Sequence, residues 1–223
     1  LAATTCSTSL VDAQFTCQAI LKDRFNNLLG TATQVTFKSE AAAVGQVAVT
    51  PAYDPAQSPT SQAGLGIAKE VFNTLGAGLP FDVPPQPGEP SVVHNLDGCG
   101  TRTHNPRDGL STIIVFANGE EGFVDQNVNG VYDPGEPFID MGEPFVDVND
   151  NGVYDPPDAI TGFPGEPFVD LNGNGVYDGP NGVWDANTVI WAETRVLYTG
   201  FAGLSVSGNG MSRWVSPADV LSL

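Results

Sequence analysis

Alternating apolar and polar residues recur along the first half of the chain, and each such stretch predicts a β-strand. Residues 15–21 carry apolar side chains at every odd position, the period of two that is typical of a half-buried strand. Residues 33–39 repeat this alternation, and residues 47–50 form a third, shorter stretch. Residues 66–75 fit a helix face or a strand, and strand is favoured because the surrounding sequence is β-like.

Two apolar runs in the second half predict a further pair of strands. The run STIIVFA at 111–117 predicts a buried strand, and 187–199 is a long strand containing Trp191 and Tyr198. We expect these two strands to pair as an antiparallel hairpin. The residues between them are therefore predicted to be an insertion.

The segment from Gly78 to Asn105 predicts loops, because it is rich in proline and has no clear apolar period. Both histidines, His94 and His104, lie in it. No partner residues occur at the spacing of a metal or catalytic site, so surface or turn positions are expected for them.

Short strands, 26 glycines, 18 prolines and little helix predict an all-β fold, a β-sandwich. The predicted domains are a sandwich made of residues 1–118 and 188–212, an insertion at 119–187, and a tail at 213–223. The tail is interpreted as the start of another β-domain or as a strand donated to a neighbour's sheet.

One pattern occurs three times in the insertion, as GFVDQNVNGVYDPGE, PFVDVNDNGVYDPPD and PFVDLNGNGVYDGPN. Its leading aspartates, Asp125, Asp147 and Asp170, are 22 and 23 residues apart. Oxygen-bearing side chains fall at positions 1, 3, 5, 9 and usually 12, with glycine at position 6 and a valine carbonyl at position 7. This is the ligand order of a twelve-residue EF-hand calcium loop.

The predicted calcium ligands follow from that order. In the first copy they are Asp125, Asn127, Asn129, Val131 (carbonyl), Asp133 and Glu136. In the second they are Asp147, Asn149, Asn151, Val153 (carbonyl), Asp155 and Asp158. In the third they are Asp170, Asn172, Asn174, Val176 (carbonyl) and Asp178. Position 12 of the third copy is Asn181, so Asp185 from the trailing NGVWD is the candidate for its last ligand.

A glutamate stands four residues before each leading aspartate, namely Glu121, Glu143 and Glu166. We call the segment from such a glutamate to its aspartate a prelude. A fourth prelude lies in the fragment GEPFID, from Glu136 to Asp140, but has no loop after it. These acids are predicted to bridge neighbouring sites. Glu136 would serve the first loop, and Asp140 or Glu143 the next.

Charge favours bound cations over metal-free turns rich in Asp and Asn. Residues 108–194 contain no Lys or Arg, while 119–185 hold 15 of the 26 acidic residues, a density that repels itself strongly without cations. About three Ca²⁺ ions are predicted; Mg²⁺ or Mn²⁺ is the alternative metal, and metal-free turns the other reading. Prolines flank every copy and exclude EF-hand helices, so a static, calcium-stiffened insertion is expected rather than a sensor.

The composition limits the classes of partner. A net charge of −18 excludes nucleic acid and anionic membrane surfaces, and no apolar run approaches the ~20 residues of a membrane span, so no membrane insertion is expected. The chain starts at Leu1 without Met and is interpreted as a mature or excised segment. Calcium loops of modest affinity suit calcium-rich surroundings, which predicts an extracellular or bacterial cell-surface location.

Three cysteines, Cys6, Cys17 and Cys99, allow one disulfide and leave one thiol over. Cys6 and Cys17 would face each other across a hairpin. Cys17 and Cys99 would tie an early strand to a late loop.

The run CQAILKDRFNNLLGTATQVTFKSEA at 17–41 resembles the early strands of bacterial immunoglobulin-like domains of the invasin and intimin type. Residues 107–155, from RDGL to NGVYD, are similar to the calcium-loop insertion of a subgroup of those domains, and the resemblance covers most of 12–200. It implies an immunoglobulin-like β-sandwich, often in tandem, with structural or adhesive duty at the cell surface. It also implies that Cys17 pairs with Cys99.

The predicted function is a non-enzymatic, calcium-stabilised structural or adhesive module of a bacterial surface protein or extracellular filament, with self-association or tandem neighbours. The alternative is an accessory or partner-docking module of a secreted hydrolase. No Ser-His-Asp, Cys-His or zinc pattern accompanies the carboxylates, so no enzymatic activity is expected.

Overall fold

The computed structural model describes residues 14–57, 63–74, 80, 81, 83, 87–89, 92–96, 100–104, 107 and 109–197. These residues form β-strands and contain no helix, which confirms the all-β prediction. The strands are β1 Gln14–Ile20, β2 Gln34–Ser39, β3 Ala43–Val44, β4 Val47–Val49, β5 Ile67–Asn73, β6 Val92–Leu96, β7 Gly100–His104, β8 Leu110–Gly119 and β9 Thr188–Leu197. Every strand predicted from an alternating or apolar run is present.

The strands form two main antiparallel sheets, an arrangement compatible with a β-sandwich. One sheet has the order β1-β5-β3 and the other the order β4-β2-β8-β9. The predicted pairing of the two late strands is confirmed, because β8 and β9 pair along their whole length, from Leu110 opposite Leu197 to Gly119 opposite Thr188. The repeats leave the second sheet at the end of β8 and return to it at the start of β9.

Both sheets contribute to one apolar core, which explains the alternation along β1 and β2. Phe15 stacks on Phe72 with ring centroids 5.2 Å apart, and Phe37 meets Phe72 edge-on at 6.2 Å. The buried members of this core are Phe15, Cys17, Ala19, Val35, Phe37, Ala41, Ala68, Phe72, Ile113, Ala117 and Val196. Burial of such side chains contributes ~1.5–3 kcal/mol each for the larger ones.

A second apolar cluster lies on the other face of β8 and explains why that strand is continuously apolar from Ile113 to Ala117. Ile114 is fully buried there with Val146 and Val148 of the insertion, and Trp191 of β9 packs against them. The side chains of β8 therefore meet the sandwich core on one face and the repeats on the other. The insertion is fixed to the outer face of the second sheet.

The prediction of loops between residues 78 and 105 was wrong in part. The strands β6 and β7 pair there as an antiparallel hairpin, from Val92 opposite His104 to Leu96 opposite Gly100. His94 lies on β6 and His104 ends β7, rather than in loops. Small and polar residues make up most of the hairpin, so backbone pairing decides its structure and the apolar period gives no signal.

Several predictions fall on residues outside the described part of the chain. Cys17 is buried in the sandwich core, whereas Cys6 and Cys99 lie outside the described residues, so both disulfide pairings remain predictions. The tail at 213–223 and residues 198–212 also lie outside it. In the part that is described, no helix has the length and apolar character needed to cross a bilayer.

Candidate functional site

The first repeat closes around the carboxylate of Asp125, and we name its residues 125–133 loop 1. Oδ1 of Asp125 accepts the Asn129 N–H at 3.1 Å, and Oδ2 accepts the Gly130 N–H at 2.7 Å. The side-chain amides of Asn127 and Asn129 donate to Oδ2 of Asp133 at 2.6 and 2.7 Å. Gly130 has φ 80°, a left-handed conformation that glycine adopts without strain. Positions 1, 3, 5 and 9 of the predicted ligand order thus converge in one loop.

The second and third repeats reproduce this network as loop 2 (residues 147–155) and loop 3 (residues 170–178). In loop 2, Asp147 accepts the N–H groups of Asn151 and Gly152 at 3.1 and 2.8 Å, and Asp155 accepts the amides of Asn149 and Asn151 at 2.6 and 2.5 Å. In loop 3, Asp170 accepts the N–H groups of Asn174 and Gly175 at 3.2 and 2.8 Å, and Asp178 accepts the amides of Asn172 and Asn174 at 2.6 and 2.7 Å.

A fourth loop, which the sequence analysis missed, is assembled from two distant segments. Oδ1 and Oδ2 of Asp140 accept the N–H groups of Asn181 and Gly182 at 3.0 and 2.5 Å. The Asn181 amide donates to Oδ2 of Asp185 at 2.9 Å. These are the bonds of loop 1, with the chain interrupted between positions 1 and 5. We name Asp140 together with residues 181–185 loop 4.

The glutamate of each prelude is buried and caps one loop. Each of its two carboxylate oxygens accepts one backbone N–H. One N–H belongs to the residue directly after the leading aspartate of the loop, and the other belongs to the aspartate at position 9. Glu136 caps loop 1 through Gln126 and Asp133 at 2.7 and 2.9 Å, and Glu166 caps loop 2 through Val148 and Asp155 at 3.0 and 3.0 Å. Glu143 caps loop 3 through Leu171 and Asp178 at 2.7 and 3.1 Å, and Glu121 caps loop 4 through Met141 and Asp185 at 2.7 and 3.0 Å. The four glutamates are between 1% and 7% exposed.

The loops lie in two pairs, because the preludes pair as short antiparallel segments. Val124 N–H donates to the Pro137 carbonyl and Ile139 N–H to the Gly122 carbonyl, both at 2.8 Å, which joins loops 1 and 4. Val146 N–H donates to the Pro167 carbonyl and Val169 N–H to the Pro144 carbonyl, again at 2.8 Å, which joins loops 2 and 3.

An aromatic residue at position 8 of each loop packs against its counterpart in the paired loop. Tyr132 of loop 1 stacks on Trp184 of loop 4 at 4.7 Å, and Tyr154 of loop 2 stacks on Tyr177 of loop 3 at 4.0 Å. Prelude phenylalanines meet each stack edge-on. Burial raises the pKa of the Tyr154 and Tyr177 phenols. Each loop pair therefore has a small aromatic core of its own.

Several predicted ligands occupy other roles than the EF-hand order assigned to them. Oδ1 of Asp158 accepts the Ile160 N–H at 2.8 Å and Oδ2 accepts the Thr161 hydroxyl at 2.9 Å, so this carboxylate closes its own turn, and the glutamate at loop 2 is Glu166. Asp185 lies in loop 4 rather than in loop 3. The carbonyls of Val131, Val153 and Val176 stay predicted ligands, and the N–H groups of the same residues donate to the asparagine at position 5 of their loops.

Arginines from the sandwich contact loops 1 and 2. Arg195 of β9 contacts Oδ2 of Asp147 at 2.8 Å, Oδ1 of Asp150 at 2.7 Å and Oε1 of Glu193 at 2.9 Å. Arg107 donates to the Asn149 carbonyl, and Arg24 donates to a backbone carbonyl of loop 1. Burial raises the pKa of the Asp150 carboxyl despite the guanidinium beside it. Loop 2 is thus tied to the sheet by a buried ion pair, since the Asp147 side chain is fully buried.

A partly buried glutamate, Glu40, connects the second sheet to the segment at 80–81. Glu40 accepts the Phe81 N–H at 2.6 Å and the Thr112 N–H at 2.9 Å. Burial raises the pKa of Glu40 to about 7, and the negative charges of Asp150 and Asp147 act in the same direction.

We expect Glu40 to make the protein less stable as the pH rises from about 4.5 to about 7. The folded state holds its proton up to about pH 7, whereas the unfolded chain releases it near 4.5, so the unfolding free energy falls across this window. Denaturant titrations at half-unit steps of pH measure the slope. Glu40→Gln should flatten it relative to the unchanged chain, and equal slopes for the two proteins would refute the assignment.

The loops offer oxygen donors only. Among the residues that the structure describes, no group of three or more His, Cys, Asp and Glu side chains is arranged to hold a metal ion. At positions 1, 3, 5 and 9, loops 1 to 3 each combine two aspartates with two asparagines, whereas loop 4 combines two aspartates with one asparagine. Carboxylate and amide oxygens are the donors that calcium takes in proteins. No family model, curated protein or solved structure matches the chain.

Proposed function

We propose that the insertion binds calcium at its loops and that the chain is a calcium-stabilised structural or adhesive module of a bacterial surface protein or extracellular filament. The observation that carries the proposal is the repetition of one oxygen-lined geometry in loops 1 to 4, within a stretch that has no Lys or Arg. With loop 4 included, the geometry supports four ions rather than about three. Loop 4 is expected to be the weakest site, because it lacks the position-3 asparagine.

The leading aspartate of loop 1 keeps room for a cation after its hydrogen bonds are counted. A carboxylate or amide oxygen has two lone pairs, so an oxygen that accepts one N–H keeps a second lone pair for a metal. In loop 1 each oxygen of Asp125 accepts one N–H from the backbone. A hard cation that needs six to eight oxygens is the ion that such a loop suits. It would also offset the mutual repulsion of the 15 acidic residues in the insertion.

The structural role follows from the position of the loops. The insertion packs on the outer face of the second sheet, and its backbone is held mainly by side-chain hydrogen bonds rather than by strands. Calcium that binds only the folded state adds about 1.4 kcal/mol per site when its concentration is about ten times the Kd. Four sites would therefore stabilise this region by several kcal/mol. The immunoglobulin-like class of the sandwich, tandem or self-associating neighbours, and an extracellular location belong to the same proposal.

Calcium is expected to raise the thermal unfolding temperature by many degrees, and an excess of chelator to reverse the rise. Replacing the leading aspartates together, as Asp125→Asn, Asp147→Asn, Asp170→Asn and Asp140→Asn, should abolish most of the calcium response, because each removes the carboxylate at position 1. Calorimetry with calcium, magnesium and chelator measures the effect.

The matched control is Asp158→Asn, which removes an acidic group from the same insertion without touching a loop. It should keep the full calcium response. Identical unfolding temperatures of the unchanged chain in calcium and in chelator would refute the proposal. Electron microscopy of the same samples tests the filament form, which requires calcium-dependent assemblies rather than single particles.

A further inference from the structure

The capping glutamates are exchanged within each pair of loops. Glu121 directly precedes loop 1 but caps loop 4, whereas Glu136 precedes Asp140 of loop 4 but caps loop 1. The second pair repeats the exchange, since Glu143 precedes loop 2 but caps loop 3, and Glu166 precedes loop 3 but caps loop 2. Every prelude thus carries a cap for the partner loop and the first carboxylate of its own.

This exchange makes the order of one loop depend on the order of the other. The prelude from Glu143 to Asp147 is short and pairs with the prelude of loop 3. When Asp147 is fixed in loop 2, the glutamate four residues before it is held where loop 3 requires it. The Tyr154–Tyr177 stack, with ring centroids 4.0 Å apart, adds a second contact between the two closed loops.

We propose that calcium binds the insertion as two cooperative pairs, loop 1 with loop 4 and loop 2 with loop 3. The inference rests on the proposed calcium function and adds its regulation. The first ion of a pair orders both preludes, so the second ion binds a loop whose cap is already in place. The exchanged glutamates connect loops within a pair, so coupling within a pair exceeds coupling between pairs.

The glycine at position 6 supplies a separate reporter for each loop. The N–H groups of Gly130, Gly152, Gly175 and Gly182 each donate to the leading aspartate of one loop, at 2.7, 2.8, 2.8 and 2.5 Å. Their amide resonances in an NMR titration of the full chain with calcium therefore follow each loop individually. In the unchanged chain, Gly152 and Gly175 should respond together, and Gly130 with Gly182.

The decisive variant is Asp170→Asn, which disables loop 3 at an exposed position and leaves every ligand of loop 2 intact. We expect the calcium midpoint at Gly152 to rise about five- to tenfold, within the usual range for coupled sites, while Gly130 and Gly182 shift by less than about twofold. Asp125→Asn is the equivalent variant for the other pair, because it disables loop 1. It should raise the calcium midpoint at Gly182 but not at Gly152. Asp158→Asn is the charge-matched control and should move none of the four.

The outcomes separate this inference from the function on which it rests. Calcium-dependent shifts of all four glycines, with Gly152 unchanged by Asp170→Asn, would overturn the pairing and leave calcium binding in place. Equal midpoint changes at Gly130, Gly152 and Gly182 would also overturn it. No response of any glycine to calcium in the unchanged chain would refute the proposed function itself. Native Gly130 and Gly182 resonances in the variant show that it is folded.

Discussion

Glu121→Ala is expected to lower the free energy of unfolding by about 2–4 kcal/mol, because it leaves two part-buried N–H groups without their acceptor, at the lower half of the ~1–3 kcal/mol that a buried group costs. Glu121 is 1% exposed, and its carboxylate joins Met141 to Asp185, which lie on the two segments of loop 4. Its loss therefore also weakens the junction between the two ends of the insertion, which keeps the backbone bond from Glu121 N–H to the Asp185 carbonyl. Urea denaturation, followed by tryptophan fluorescence to which Trp184 of that loop contributes, measures the effect.

The adjacent glutamate provides the control for this substitution. Glu120 is 34% exposed and contacts Arg24 at 2.7 Å, so Glu120→Ala should cost at most about 1 kcal/mol. Both variants remove one negative charge at neighbouring positions of the same segment. Equal losses from the two would mean that Glu121 acts through net charge and not as the cap of loop 4.

Arg195→Met is expected to destabilise the calcium-free protein by about 2–4 kcal/mol. Breaking a buried ion pair typically costs 3–5 kcal/mol, and the 31% exposure of Arg195 reduces this. The substitution leaves the fully buried Asp147 carboxylate without its guanidinium, while Met keeps most of the apolar packing. With calcium present the loss should be smaller, because an ion in loop 2 would supply positive charge beside the same carboxylate.

Unfolding in calcium and in chelator separates these two contributions for Arg195→Met. The comparison variant is Arg24→Met, which removes an ion pair that is partly exposed on both sides and a hydrogen bond to a carbonyl of loop 1 but leaves no fully buried charge, and which should cost about 1 kcal/mol. A loss from Arg195→Met that is the same in calcium and in chelator would show that loop 2 does not bring a cation to Asp147.

The candidate site was predictable from the sequence wherever one loop is one continuous segment. The aspartates and asparagines of loops 1 to 3 stand at fixed spacing, and the hydrogen bonds that close each loop span at most six residues. Loop 4 escaped prediction because Asp140 and Asn181 are 41 residues apart. Two features of the sequence indicated loop 4: NGVYD recurs as NGVWD, and the GEPFID fragment has no loop directly after it.

The caps escaped prediction for a related reason. Position 12 of the EF-hand order names Glu136 in loop 1, Asp158 in loop 2 and Asn181 in loop 3, and only Glu136 caps the loop to which that order assigns it. A spacing rule assumes that a loop supplies its own last ligand. Pairing of the preludes brings a different glutamate to each loop, and that pairing is a tertiary contact.

By itself, the sequence of this protein determined the strands of the two main sheets apart from β3, the two late strands that pair, and the composition of loops 1 to 3. Strand alternation and loop closure depend on residues that are close along the chain, so their periods are visible in it. Only the tertiary structure decided that the repeats lie on the outer face of β8, that Arg195 meets Asp147, and that the loops form two pairs with exchanged glutamates. Those features depend on contacts between distant segments, and no local period encodes them.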